Sequence, residues 1–440
     1  MRKPFYGWII VGVIFLIGAT EAGAFQSILS IFLKPMVGEF GWTRTIVTGA
    51  MAFGSICGGI ISPLVGPILD RHGPRQVAFW GILILSAGLV SLSFLERIWQ
   101  LYLFFGIGRM IAVGALSLVI SVTVSNWFIR RRGRAMGIAW LGARFGSTIL
   151  PPFVQFFILS QGWRVAWATL GVLIFLLSGI PSLIFLRRRP EDIGLLPDGK
   201  PPGIEIEKDT ESFKGSSPNI SGNTVDPVWT RAQALRTPAF WILTLVSCLI
   251  PFAGAGINFH IFPFLTDQGF TETSAVFILS AIAIFGALGA VVWGVLAERF
   301  RTQVLVAIDV FMGGLVIIAI FWFVKADISG FTGALMIVVL SILIGFHGIS
   351  SGGRMPLLSL IWAEFFGRTS LGSIYSFSSP FRFTANAFGP IFAALCFDLL
   401  GSYALPFHIF TLLLMFSGII SLFMKLPKPP VPVKQSRLEI

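Results

Sequence analysis

Apolar residues in this chain run together instead of alternating, and the runs are long. Twelve stretches of about 20 residues, the length that crosses about 30 Å of hydrocarbon, begin near Tyr6, Arg44, Gln76, Leu101, Arg134, Arg164, Ala239, Thr273, Gln303, Gly333, Thr369 and Ala404. Backbone groups inside a bilayer have no water to bond, so each stretch is predicted to be an α-helix. A polar interval, 190–236, is rich in Pro, Gly, Ser and charge, with Glu205, Glu207, Asp209 and Glu211 close together, and divides the runs six and six. The expected organisation is a first six-helix bundle at 1–189, a linker at 190–236, a second bundle at 237–425 and a tail at 426–440. Met1-Arg2-Lys3, the first run and Ala22-Gly23-Ala24 imitate a secretory signal with its cleavage site. Glu21 interrupts the end of that run and eleven further spans follow, so it is read as the first span.

Composition excludes a soluble enzyme. Hydrophobic residues fill 55% of the 440 positions and charged ones 12%, too few charges to clothe a water-facing surface. The net charge of +12 would suggest nucleic acid in a soluble chain, but its distribution points elsewhere. An even number of spans puts both termini on one face, which would carry 23 of the 32 Lys and Arg against 5 on the other (Lys34, Arg44, Arg97, Arg164, Lys325). By the positive-inside rule the termini and linker are expected in the cytoplasm, in a cell inner membrane, with the bilayer and not nucleic acid as partner. On that placement Asn219-Ile220-Ser221 matches a glycosylation sequon by chance. Cys57, Cys248 and Cys396 are scattered in apolar runs and suggest neither a disulfide framework nor a metal site. No cofactor is expected.

The two halves repeat. Gly41 and Gly269, Gly66 and Gly294, Asp70 and Glu298, and Arg71 and Arg299 are each 228 positions apart. Gly133-Arg134 and Gly367-Arg368 are 234 apart, and Arg144 and Arg382, Phe145 and Phe383, and Pro152 and Pro390 are 238 apart. Two parallel six-helix repeats with a site at the midplane between them suit a transporter working as a monomer.

The loop Gly66-Pro67-Ile68-Leu69-Asp70-Arg71-His72-Gly73-Pro74-Arg75 resembles the signature between helices 2 and 3 of the major facilitator superfamily, and Gly294-Val295-Leu296-Ala297-Glu298-Arg299 resembles its degenerate copy. Glu39-Phe40-Gly41-Trp42-Thr43-Arg44, Trp127-Phe128 with Arg130-Arg131-Arg132-Gly133-Arg134-Ala135, Gly162-Trp163-Arg164, and Arg189-Pro190-Glu191-Asp192-Ile193-Gly194-Leu195-Leu196-Pro197-Asp198-Gly199 resemble the bacterial oxalate/formate antiporters and monocarboxylate porters. The resemblance implies an all-α membrane protein of twelve transmembrane helices in two pseudo-symmetric bundles. It also implies transport of small organic anions, often monocarboxylates, by proton symport or exchange. One departure is that 274–296 has no basic residue where relatives often carry a cation.

Four arginines fall inside spans: Arg109, Arg144, Arg354 and Arg382. A buried charge costs several kcal/mol and normally faces the bundle interior or a cavity. Arg144 lies about 15 Å along its helix from Arg134, and Arg382 about 21 Å from Arg368, both near mid-membrane. Their equivalence under the repeat predicts opposite walls of one cavity, where forked guanidiniums suit a carboxylate; helix packing through salt bridges or backbone carbonyls is the alternative. Tyr375, Ser378, Ser379, Arg382 and Asn386 share one helical face, as do His347, Ser350, Ser351 and Arg354. Tyr375, Ser379 and Asn386 therefore join the four arginines as substrate-site candidates. Tight helix contact is the other reading of the serines and nearby glycines.

Glu21 is the acid expected deep in the first half, either binding the coupling proton or pairing with an arginine. His260 is a second proton candidate, with a satisfied structural histidine as its alternative. Asp309 and Asp398 are expected at helix ends, in end-of-helix polar contacts. Asp70, Arg71, Arg75, Glu298 and Arg299 are assigned to gating, with Glu364 as a candidate partner beside Arg368. The expected function is secondary transport of a small organic anion, with protons as a second cargo. An exporter of lipophilic drugs is the alternative, for which 44 Phe and 13 Trp are weak support. A membrane sensor lacks a segment large enough for a regulatory domain, and an intramembrane enzyme lacks any recognisable motif.

Overall fold

The computed structural model describes residues 5–24, 26–42, 44–199, 229–270, 272–325 and 333–427. Met1-Arg2-Lys3, the linker's acidic stretch and sequon, and the tail beyond 427 lie outside them. Among the described residues the regular structure is helical and forms twelve spans. The first is broken: α1 (Gly7–Glu21) passes through a 3-10 turn at Ala22–Ala24 into α2 (Gln26–Phe40). α3 (Arg44–His72) and α4 (Pro74–Ser91) follow. The fourth span joins α5 (Ile98–Ile111) to α6 (Ser117–Trp127) through a π-turn at Ala112–Leu116. α7 (Arg132–Gln161) is the fifth, and α8 (Trp163–Ile174) with α9 (Ile180–Phe185) the sixth.

After the short α10 (Arg231–Leu235), the second half comprises α11 (Pro238–Asp267), α12 (Glu272–Leu296), α13 (Thr302–Lys325) and α14 (Gly333–Phe366). Its fifth member is α15 (Leu371–Phe377) continued after Ser378 by α16 (Ser379–Leu400), and α17 (Ala404–Phe423) ends the bundle. The helices are apolar outside as well as inside. Leu64, Leu159, Leu399 and Phe423 are each at least 70% exposed, which is stable only where lipid is the solvent.

Packing follows the repeat. In the first half α1 packs on α7, α3 on α5 and α4 on α8; the equivalent pairs α11 with α16, α12 with α14 and α13 with α17 pack in the second. Gly41 and Gly269, repeat partners, both follow the end of their span remote from the linker in the left-handed region, with φ of 67° and 90°. The halves meet along two related seams, α7 against α12 and α14, and α3 against α15 and α16. The face bearing the linker and the loops after α3, α6, α12 and α14 is called here the basic face.

Candidate functional site

The structure sorts the four span arginines into two kinds. Arg109 lies with Glu21, whose charge it offsets; it donates from Nη1 to the Ala24 carbonyl at 3.2 Å and from Nε to Ser55 Oγ at 3.0 Å. The break in the first span exposes that carbonyl, since helix ends leave C=O groups without an intrahelical donor. Arg354 lies with Asp309, Nε to Oδ2 being 3.9 Å, and both are buried. Arg144 and Arg382 have no carboxylate partner among the described residues. Arg144 is half-buried on α7 and crosses the seam, its Nη2 donating to the Ser351 carbonyl of α14 at 2.9 Å. Arg354 stands close enough to Arg144 for the two guanidiniums to repel. Arg382 is buried, donates to the Tyr375 hydroxyl at 2.6 Å and Ser379 Oγ at 3.0 Å, and lies 4.2 Å from the centre of the Tyr375 ring.

The shared face of Tyr375, Ser379 and Arg382 survives the break at Ser378, and Asn386 is half-buried one turn further on. Arg144 and Arg382, expected on opposite walls of one cavity, are held by different elements: Arg144 at the α7–α14 seam and Arg382 by its own helix, on the span that packs against α3. Asp309 corrects an expectation. It is not an end-of-helix contact but is buried about 10 Å into α13 from Thr302, where its backbone carbonyl accepts from Ser350 Oγ at 3.0 Å. His260 has both ring nitrogens engaged, Nε2 with the Pro390 carbonyl at 2.9 Å and Nδ1 with the Tyr403 hydroxyl at 3.3 Å. A carbonyl can only accept, so Nε2 carries the proton and Nδ1 accepts from Tyr403. Two grooves, about 370 Å³ between Pro238 and Lys425 and about 200 Å³ around Asp267, Lys325 and Tyr403, contain none of the four arginines.

The gating candidates form two latches related by the repeat. Asp70, near the end of α3, accepts from the backbone N–H groups of Gly372 and Ser373 at 3.0 and 2.7 Å and from Ser373 Oγ at 2.6 Å. Glu298, just past α12, accepts from the Arg134 N–H at 3.1 Å and its guanidinium at 3.0 Å. Each acid thus meets the first turn of a helix in the other half, where N–H groups lack intrahelical partners. Glycines permit it: a Cβ on Gly133 would strike the Gly294 carbonyl, and one on Gly66 would strike that of Gly372. Arg71, Arg75 and Arg299 are exposed and make no described bond between the halves. Glu364 accepts from Thr302 Oγ1 at 2.5 Å within its own half, while Arg368 donates to Glu191 at 2.6 Å.

Several participants escaped the sequence. Glu191 and Asp198 belong to the segment Arg189 to Gly199, which folds back onto the bundles. The Asp198 carboxylate accepts from the N–H groups of Ile129, Arg130 and Arg131, and Arg368 donates to the Asn126 carbonyl at 3.0 Å as well as to Glu191. Ser121 and Ser359 bond across the halves at 3.1 Å. Asn258 meets His347 Nε2 at 3.2 Å. The available signal was the repeat: Arg134 and Arg368 are equivalent, and each bonds into the opposite half, Arg134 by an ion pair with Glu298 and Arg368 by its bond to the Asn126 carbonyl.

Comparison with known proteins now decides the family, because a model of the Major Facilitator Superfamily matches residues 14–351. The chain belongs to that superfamily. Human monocarboxylate transporter 2 is 28% identical over 294 residues, 63% of this chain and 57% of that protein, so the match spans little more than half the relative's length. Monocarboxylate transporter 12 of Rattus norvegicus is 22% identical over 96% of this chain and 86% of its own. The fujikurins efflux protein of Gibberella fujikuroi is 34% identical over 130 residues, 30% of this chain and 27% of its own. Among solved structures, the human organic anion transporter MFSD10 (TETRAN) superposes with a TM-score of 0.68 at 18% identity, covering 96% of this chain and all of that one. The proton:xylose symporter XylE superposes at 0.67 with 13% identity over 96% of each chain. The superfamily member described here is a multi-pass membrane transporter, not an enzyme.

Proposed function

We propose that this transporter carries a small organic anion, a monocarboxylate or a close analogue, by alternating access. The observation that carries the reading is the sorting of the arginines: two have a carboxylate and two, Arg144 and Arg382, have none among the described residues. A cation kept at mid-membrane without a counter-charge is costly unless an anion visits it. The names of the curated relatives favour the same cargo. Coupling is by proton symport or anion exchange, and Glu21 serves chiefly to hold Arg109. The basic face is cytoplasmic and the membrane a cell inner membrane, with the latches closing the cytoplasmic side in the state described here. The unit of function is the monomer.

Uptake of acetate, propionate, lactate, pyruvate and oxalate into proteoliposomes, with and without an inward acid gradient, tests this; no uptake of any of them under either condition would refute it. Arg382→Gln is expected to lower uptake by about a hundredfold, the loss of a forked charge-assisted contact, in protein that elutes from size exclusion like the wild type. Export of a larger lipophilic compound is a second reading, favoured by the stretch similar to the fujikurins efflux protein. Binding of an uncharged aromatic compound without competition from carboxylates would select it.

A further inference from the structure

Where α3 turns into α4, the basic face of the first half meets its lipid-facing side, and arginines from three segments collect there. Gly73, at the turn, has φ of 82° and leaves room for Arg188: a Cβ built on it would lie 2.9 Å from the Arg188 Cβ. Arg71 and Arg75 flank Gly73, two positions to either side, and both are exposed. Arg187 folds its guanidinium back over the end of α9, Nη1 donating to the Ile184 and Leu186 carbonyls at 3.0 Å each. Because α4 and α9 pack together, the four arginines share one corner of the bundle.

The acids on this side of the first half are spent elsewhere. Asp70 is held by Gly372 and Ser373, and Glu191 by Arg368. Asp192 accepts from the Arg189 N–H at 3.2 Å, and Asp198 from the N–H groups of Ile129, Arg130 and Arg131. Among the described residues none of Arg71, Arg75, Arg187 and Arg188 has a carboxylate partner. Arg188 Nε, although shielded from water, has no hydrogen-bond partner among them either. Beside the arginines the wall turns apolar and faces outward: Trp80, about 8 Å along α4 from Arg75, is 59% exposed, and Ile184 on α9 is 51% exposed. Unpaired guanidiniums above an outward-facing apolar wall complement an amphiphile with a negative head.

We propose that this corner binds the headgroup of an acidic phospholipid. Its phosphodiester oxygens accept from the guanidiniums of Arg71, Arg75 and Arg188, and its acyl chains lie on Trp80 and Ile184. A headgroup seated there ties the end of α3 to the start of α4 and the end of α9, and so braces the turn that follows Asp70. Arg71 and Arg75, expected at the gate, thereby act on the lipid side of it. The site is separate from the cargo and stands whatever the cargo is.

The test measures tritiated dioleoylphosphatidylglycerol and dioleoylphosphatidylcholine retained by the full chain in an uncharged detergent. Each arginine beside an anionic headgroup contributes a factor of about five in affinity, so Arg71→Gln with Arg75→Gln is expected to weaken phosphatidylglycerol binding about twenty-five-fold. Binding of phosphatidylcholine stays as in the parent. Arg188→Gln alone is expected to weaken phosphatidylglycerol binding about fivefold. Arg299→Gln with Arg301→Gln removes the same charge from the same face of the other half, beyond the reach of a screened contact, and is expected to change binding by less than about twofold. Equal retention of the two lipids by the parent, or equal losses in the two double variants, overturns the site. Retention of the lipid in millimolar inorganic phosphate is expected; its displacement there would mark a site for a free anion and overturn the lipid assignment.

Discussion

The two latches on the basic face descend from one repeat yet are built differently. Asp70 is largely enclosed and receives three donors, two of them first-turn N–H groups of α15 that have no acceptor within their helix. Glu298 receives one such N–H and one guanidinium whose side chain is 48% exposed. Hydrogen bonds to a carboxylate contribute about 1.5–3 kcal/mol each where water is excluded, whereas an exposed ion pair contributes about 0.2–1 kcal/mol. Equivalent positions thus bind the two halves unequally, and the Asp70 contact is the stronger.

That inequality can be broken from either side. Asp70→Asn removes the charge shared by three donors and is expected to shift the closed-to-open ratio by about a hundredfold, near 3 kcal/mol. Spin labels at Gln76 and Arg301, exposed on opposite halves of this face, would then show a long-distance population that the parent lacks. Glu298→Gln keeps an acceptor for the Arg134 N–H and loses only the ion pair, so a shift of about fivefold is expected, shrinking in high salt. Equal shifts in the two variants would erase the distinction.

The smallest effect is expected at a clasp that does not join the halves at all. On the opposite face Glu39 accepts from Trp163 Nε1 at 2.7 Å and pairs with Arg164 at 2.7 Å, all within the first half. These bonds hold its carboxyl below the ordinary 4.5. A lowered folded-state value means that its contribution is present above the ordinary value and fades as pH falls through the depressed one. Thermal unfolding of the parent and of Glu39→Gln is therefore expected to converge in acid and to separate slightly near neutrality, with no change in the label distances across the basic face.

The twelve spans and the repeat were legible because both are written in periodicity and spacing, which a bilayer enforces on each segment separately. The four arginines were legible for the same reason, since a charge within an apolar run is conspicuous whatever it touches. Their partners were not. Asp309 lies close to the start of its helix by count, and what makes it deep is α14, whose Arg354 is 45 positions away. Glu364 stands four residues before Arg368 in the chain but turns to Thr302, because helix geometry and the junction after α14 set the direction of each side chain. The segment from Arg189 to Gly199 reads as the head of a linker. Only the fold shows it reaching Arg368 with Glu191 and the start of α7 with Asp198.

At both seams of the basic face glycine stands against main chain, Gly133 with Gly294 and Gly66 with Gly372. Main chain set against main chain has no rotamers to adjust. Two close-fitting backbones lose their dispersion contacts within a fraction of an ångström of separation, so the seams cannot loosen by degrees. Glycine here makes the junction of the two halves a fit of shape, which a single added methyl at either seam would prise apart.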